Sequence, residues 1–228
     1  MIRVENLTAG YGGRTVFSRL SFSVEASDCP LVLIGSNGSG KSTLLRILGG
    51  FLLPEQGQVH IHNQNQRIAW LPQHYRVSLE LKVLDFVAMA CEKQGRFFVV
   101  RPENAEDKSL EALERLSIAH LAERLCSRLS GGEWQLVCLA QMLVQEAGIW
   151  LLDEPTASLD MKYKRRVLDL IWQEAEKEKI ILFSTHDLPF LPEQGGQLFC
   201  MDSKGTVLPN KPEIRRQLMA GNLPSQAD

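Results

Sequence analysis

Eight residues, GSNGSGKS from Gly35 to Ser42, constrain this chain more than any others. They follow a short apolar run, Pro30-Leu31-Val32-Leu33-Ile34, suited to a buried parallel strand. They lead into a helical stretch from Lys41 to about Leu48, which Gly49-Gly50 would stop. Strand, glycine loop and helix in that order are the context that GxxxxGK[ST] requires for binding a nucleoside triphosphate, and they weigh against a chance glycine-rich turn. Gly35, Gly38 and Gly40 let backbone N–H groups turn inward on phosphate oxygens, with Ser36, Asn37 and Ser39 completing the cradle. The helix start adds partial positive charge. Lys41 supplies a full charge to the β- and γ-phosphates, the Ser42 hydroxyl is placed to ligate Mg2+, and Thr43 can reach the α-phosphate.

A second apolar strand, GIWLLDEP at 148–155, ends in two neighbouring carboxylates. Side-by-side acids repel one another, so the pair makes better sense beside a cation than as a solvated turn. At the carboxyl end of a buried strand, Asp153 would hold Mg2+ through water, and Glu154 would polarise a water for attack on the γ-phosphate. A third stretch, LSGGEWQ at 129–135, contains a conflict. Ser130 and Glu133 form a capping box, yet Gly131 and Gly132 occupy the first turn, where each costs about 1 kcal/mol relative to Ala. A close approach to the backbone would explain them.

The rest of the chain sets these motifs in an alternating pattern. Residues 1–27 read as short strands around the turn Gly10-Tyr11-Gly12-Gly13. A polar strand and turn follow at 56–66, and IAWLPQ at 68–73 is a further strand. From about 79 the pattern turns helical, in LELKVLDFVAMACEKQ and NAEDKSLEALERL. After the LSGGE helix come strand 148–155, a helix around 161–177, the strand KIILFSTHD and the strand QLFCMD. Strands alternating with helices predict a mostly parallel α/β sheet flanked by helices. We expect one domain over 1–228, with a core of 1–78 and 148–205, a helical subdomain at about 79–147, and a loose tail at about 206–228 carrying Pro209, Pro212 and Pro224.

A net charge of −2 gives no support to nucleic-acid binding through bulk positive charge. The five cysteines form no CxxC pair and read as reduced, buried thiols in a cytosolic protein. The longest stretches free of charged side chains, 29–40 and 134–145, fall short of the roughly 20 residues that span a bilayer. The start, Met1-Ile2-Arg3-Val4-Glu5, reads as a strand, and a cytoplasmic chain is expected.

The order GSNGSGKST, LSGGE, LLDEP and STHD resembles the ATPase subunit of ABC transporters over about residues 1–205. LSGGEWQ is the most specific element, because other phosphate-loop kinases and GTPases lack it. The resemblance implies a phosphate-loop NTPase core of ABC type with an N-terminal antiparallel β part and a small helical subdomain. It implies ATP and Mg2+ as ligands. It also implies head-to-tail pairing of two chains, so that Leu129, Ser130, Gly131, Gly132 and Glu133 of one face the ATP held by the other. On this resemblance, Tyr11 stacks on adenine beside Val16, and Gln73 touches Mg2+ and relays the ATP state to membrane subunits. Ser158 and Asp160 belong to a loop crossing to the second subunit, and His186 contacts the γ-phosphate and orients the attacking water. Catalysis would rest on Glu154, His186 and Lys41.

Ser36, Cys29, Trp134 and Leu136 depart from the family's usual residues, the last two leaving local packing open. The implied partners are a second ATPase subunit, in a homodimer, and integral membrane permease subunits on the inner face of the cell membrane. An importer would add an extracytoplasmic substrate-binding protein, and no nucleic acid is expected. The helical insertion and GEWQ resemble importers of iron-siderophores, haem and vitamin B12, and less closely those of zinc and manganese. Another import substrate, export, and a non-transport ABC ATPase on ribosomes or DNA are the alternatives. His60 and His62, two apart on a strand, read as an exposed polar face rather than a metal site. The cluster Lys162, Lys164, Arg165 and Arg166 reads as a solvated helix face.

Overall fold

Side chains along a strand point alternately to opposite faces, and that alternation decides how this molecule is layered. The computed structural model describes residues 1–62, 67–73, 79–91, 93–94, 99–100, 102–193, 195–201 and 206–220. Strands β1 (Ile2–Tyr11) and β2 (Arg14–Val24) pair antiparallel. After β3 (Leu31–Ile34) and helix α1 (Lys41–Leu48), β4 (Gln56–Ile61) returns to pair with β1, closing a three-stranded antiparallel sheet. Next come β5 (Ile68–Leu71), α2 (Val83–Ala88), and the ribbon of β6 (Lys93–Gln94) with β7 (Val99–Val100). Helices α3 (Ala105–Arg115) and α4 (Gly131–Val144) pack with α2. The chain continues through β8 (Ile149–Asp153), α5 (Met161–Ala175), β9 (Ile180–Ser184) and β10 (Gln197–Cys200), then β11 (Thr206–Pro209) and α6 (Pro212–Met219).

The larger sheet has the order β11-β10-β3-β9-β8-β5. Strands β10, β3, β9, β8 and β5 are mutually parallel, with β5 at one edge and the antiparallel β11 at the other. The α/β expectation holds, with the N-terminal β part beside it. Leu31, Leu33, Ile149, Leu151, Ile180 and Leu182 point to one core, shared with α1 and the antiparallel sheet. Their strand neighbours Val32, Ile34, Trp150, Leu152, Ile181 and Phe183 point to the other, shared with α2 to α5. A sheet covered on both faces explains why these runs are apolar throughout rather than alternating.

Two expectations are corrected. The helical reading of 79–94 holds only for Val83–Cys91, as α2 and a 3-10 turn. Before it, the carbonyls of Leu79 and Leu81 accept from the N–H groups of Ser127 and Cys126 respectively, so this backbone finds partners in the segment that precedes α4 instead of in its own next turn. After it, Lys93–Gln94 is a strand. Within the expected loose tail, the described residues 206–220 form β11 and α6, and the buried Arg215 donates to the carbonyls of Leu191 and Pro192. Asn210 Nδ2 adds bonds to the carbonyls of Pro192 and Gly195 at 3.1 and 3.0 Å. The turn read at 63–66 and the last eight residues lie outside the described residues. His60 is exposed on β4, and His62 falls just past its end.

Candidate nucleotide site

Register brings the site together. Leu33 lies opposite Ser184, Ser184 opposite Asp153, and Leu71 opposite Leu152. Each chain then runs on past the same carboxyl edge of the sheet. Gly35, His186, Glu154 and Gln73 therefore leave four parallel strands on one side, the edge where open α/β sheets bind ligands.

Two contacts shape the phosphate loop. Gly40 has φ 101°, and a Cβ there would lie 2.7 Å from both Val16 Cγ1 and Phe17 Cδ1. Only glycine lets β2 support the loop so closely. Val16, expected beside adenine, thus packs on the loop's own backbone. Lys41 is buried, and its Nζ donates to the carbonyls of Gly35 and Ser36 at 2.8 and 3.1 Å. Burial pulls its pKa below the usual lysine value, while Glu154 and Asp153 nearby oppose that shift. Tyr11 is half exposed, its hydroxyl 3.4 Å from Thr43 Oγ1, so the aromatic sits beside the start of α1. Ser36, Asn37 and Gly38 are exposed along the loop's outer curve, and Ser42 is half-buried at the helix start. Ser39 Oγ is buried with no protein partner. Buried hydroxyls are rarely left orphaned, and this one suits an oxygen-rich ligand in the loop.

A network of neutral donors holds the acidic strand end. Asp153 is buried and accepts from Ser184 Oγ at 2.7 Å. The same Oγ accepts the Glu154 N–H at 2.9 Å, and the Glu154 carbonyl accepts from Gln135 Nε2 at 3.0 Å. Glu154 itself has a left-handed backbone, φ 51°, and its Oε1 lies 3.1 Å from His186 Nε2. The loop carrying His186 is braced by Asp187, which accepts from Thr156 Oγ1 and Lys164 Nζ, each at 2.7 Å. Its N–H donates to Thr185 Oγ1 at 2.9 Å. Lys164 is therefore no solvated charge, because its position on α5 faces the loop while Lys162 and Arg165 stay exposed. Sequence reasoning missed Ser184, Gln135, Lys164 and Asp187. The one available signal was Ser184, a lone hydroxyl closing an apolar strand beside Asp153.

At the start of α4, Ser130 Oγ accepts from Glu133 N at 3.3 Å, and Glu133 Oε2 accepts the Ser130 N–H at 2.7 Å, completing the expected box. These bonds to Ser130, and Arg124 at 3.0 Å, hold the Glu133 carboxyl below the usual carboxylate range. The two glycines differ. A Cβ at Gly132 would meet the Ser158 carbonyl oxygen at 2.8 Å, whereas one at Gly131 would meet nothing within 4 Å. Asp160 caps α5 by accepting from Tyr163 N at 3.0 Å. Ser130, Gly132, Glu133, Ser158 and Asp160 line one concavity of about 580 Å³, which no phosphate-loop residue lines. Leu129 is buried behind it. Trp134 and Leu136 are also buried, and Trp134 packs on Phe86 with ring centroids 5.0 Å apart, which accounts for their departure from polarity.

Comparison with known proteins agrees with this geometry. A family model described as ABC transporter matches residues 17–157, which contain the phosphate loop, LSGGE and the acid pair. The chain belongs to the ABC transporter family. It is the ATP-binding, ATPase subunit of such a transporter. The molybdate import ATP-binding protein MolC of Haemophilus influenzae is 33% identical over 94% of this ABC subunit and 81% of its own chain. The zinc import ATP-binding protein ZnuC of Buchnera aphidicola is 32% identical over 89% of this chain and 81% of its own. A solved structure described as a metal-chelate type ABC transporter in an inward-facing conformation superposes with a TM-score of 0.77. It is 30% identical, covering 92% of this ABC subunit and 83% of that chain. No helix among the described residues is long and apolar enough to cross a membrane.

Proposed function

We propose that this ATPase powers an importer by ATP-driven, head-to-tail pairing of two copies, and that the cargo is a metal chelate or cobalamin. The observation that carries the pairing is the separation of the two half-sites. The concavity at Ser130, Gly132, Ser158 and Asp160 excludes every phosphate-loop residue, and Gly131 beside it presents bare backbone. A second copy's ATP fits there, with the Ser130 hydroxyl and glycine N–H groups meeting its γ-phosphate. Leu129 and Glu133 then serve as the scaffold, and Ser158 and Asp160 as the contact between subunits.

Within one chain, Gly35 to Thr43 cradle the phosphates, Tyr11 stacks on adenine beside Val16, and Lys41 neutralises the β- and γ-oxygens. Ser42, Asp153 and Gln73 would hold Mg2+, which when bound spreads the charge of the phosphates. The donor set suits it: a buried carboxylate, a hydroxyl and an amide at one sheet edge. Glu154 accepts a proton from the attacking water, and His186, 3.1 Å from it, orients that water against the γ-phosphate. Closure of the pair pushes permease helices that dock near Gln73 and the helical segment. The chain works at the inner face of the cell membrane, with an extracytoplasmic substrate-binding protein and without nucleic acid.

The metal-chelate reading is supported by the helical insertion, by GEWQ and by the likeness to the metal-chelate type transporter. Likeness to the zinc import protein makes zinc or manganese the second reading. The test is Glu154→Gln chain purified from gently solubilised membranes with ATP and Mg2+. Two ATPase copies with a permease of many helices are expected, and chelates, cobalamin and free zinc can then be assayed on that complex. Recovery as a monomer, or with ribosomal protein or DNA and no membrane partner, overturns the proposal.

A further inference from the structure

Glu154 combines two features that rarely meet in one residue, a functional carboxylate and a left-handed backbone, φ 51°. A side chain with a Cβ disfavours that conformation, which persists only where its surroundings over-determine it. Here both sides of the residue are tied. Its N–H donates to Ser184 Oγ at 2.9 Å, and its carbonyl accepts from Gln135 Nε2 at 3.0 Å. Ser184 is fully buried and spends its own proton on Asp153 Oδ1 at 2.7 Å, so one hydroxyl sets the spacing of both acids. Gln135 is half-buried on α4, the helix that opens with Gly131 and Gly132.

We infer that Ser184 and Gln135 are positioning residues that clamp the Glu154 peptide and aim its carboxylate toward His186. Through Gln135, the clamp also ties that aim to the seating of the α4 helix. A shift of α4 reaches the carboxylate through a single amide, because Gln135 bonds the peptide itself and not the flexible side chain. This rests on Glu154 acting on the attacking water.

The test uses the full chain with Mg-ATP and four variants: Ser184→Ala, Gln135→Leu, Glu154→Gln and Gln135→Leu/Glu154→Gln, the last built on Gln135 because Ser184 also donates to Asp153. Misplacing a reacting group by a fraction of an ångström to 1 Å costs up to about a hundredfold in rate. We expect kcat to fall about tenfold or more in Ser184→Ala and in Gln135→Leu, with KM for ATP within about twofold of the parent. The double variant should be no slower than Glu154→Gln alone, because a clamp has nothing to aim once the base is gone. Gln135→Leu, half-buried on a helix, keeps the test open if Ser184→Ala does not fold.

Parent-like kcat in both single variants, with Glu154→Gln inactive, overturns the clamp and leaves the base assignment standing. So does a further loss in the double variant, which marks a general structural role. Glu154→Gln with parent-like turnover removes the base assignment, and the clamp with it.

Discussion

Charged groups from other elements gather near both ends of strand β9, and the two clusters are built in opposite ways. At its amino end Glu174 is almost wholly buried, yet three cations reach it: Arg115 at 2.8 Å, Lys177 at 2.7 Å and Lys179 at 2.5 Å. Burial alone would raise its pKa, but those partners hold it down to about 2. Lys179 also lies over the Trp150 ring, 4.6 Å from its centroid. At the carboxyl end Asp153 and Glu154 are held by a serine hydroxyl, a backbone N–H contact and a histidine, while Lys41 gives its hydrogen bonds to carbonyl oxygens. The contrast separates a structural carboxylate from working ones. The first is neutralised in place, joining α3 to α5. The others are positioned by a hydroxyl, a side-chain amide and an imidazole, with no lysine or arginine among the described residues bonded to them, at the edge where a ligand binds.

The sharpest way to break this comparison is to make the same change at both ends. Glu154→Gln should lower ATP turnover by about 10²–10⁴ with little effect on melting. Glu174→Gln should do the reverse. It strands three cations around a neutral amide, at a cost of about 3–5 kcal/mol. That lowers the melting temperature by on the order of 10 °C, with turnover per folded chain within about twofold of the parent. Calorimetry and phosphate release read both. If the glutamine at 174 silenced turnover at unchanged stability, the division of roles would be wrong.

Acid offers a gentler probe of the same contrast. The Glu174 carboxyl ionises at about 2 in the folded chain, against an ordinary value of 4.5. Between those values the unfolded chain takes up the proton and the folded chain does not. Its contribution is therefore complete above about pH 4.5 and declines as the pH falls toward 2. The stability gap between parent and Glu174→Gln, measured by urea unfolding from about pH 5.5 to about pH 3.5, should hold nearly level down to about pH 4.5 and narrow below it. A gap constant across that interval would mean that the cluster holds α3 and α5 by packing and not by charge.

The two ends also differ in how far the sequence discloses them. Gly35 to Ser42, Asp153-Glu154 and LSGGE are contiguous, and their chemistry dictates their spacing, so all three are legible without a structure. Glu174, Arg115 and Lys179 come from three segments, and nothing in their order says that they meet. Ser184 reads as the end of an apolar strand until register sets it beside Asp153. Lys164 reads as one solvated cation among four because only the turn of α5 shows which of them faces Asp187. The tail fails for a different reason. Pattern reading looks for apolar periodicity, whereas α6 is pinned by Arg215 and β11 is followed by Asn210, polar side chains bonded to backbone carbonyls. Long-range pairing of polar groups leaves no periodic trace.

The smallest expected effect decides the most about pairing, because it sets two adjacent glycines against each other. Gly132→Ala forces a Cβ to within 2.8 Å of the Ser158 carbonyl oxygen, so backbone must give way, at a cost of about 1–3 kcal/mol. Gly131→Ala meets open space in the first turn of α4 and should raise stability by up to about 1 kcal/mol. Urea midpoints should thus move in opposite directions. Within its own chain Gly131 weakens a helix and gains no contact, a local cost of the kind found where something from outside must approach. Gly131→Ala should accordingly lower turnover and ATP-dependent dimer formation even as it strengthens the fold. A more stable chain with unchanged turnover would show that the bare backbone at Gly131 faces solvent throughout the cycle, and head-to-tail pairing across it would have to be given up.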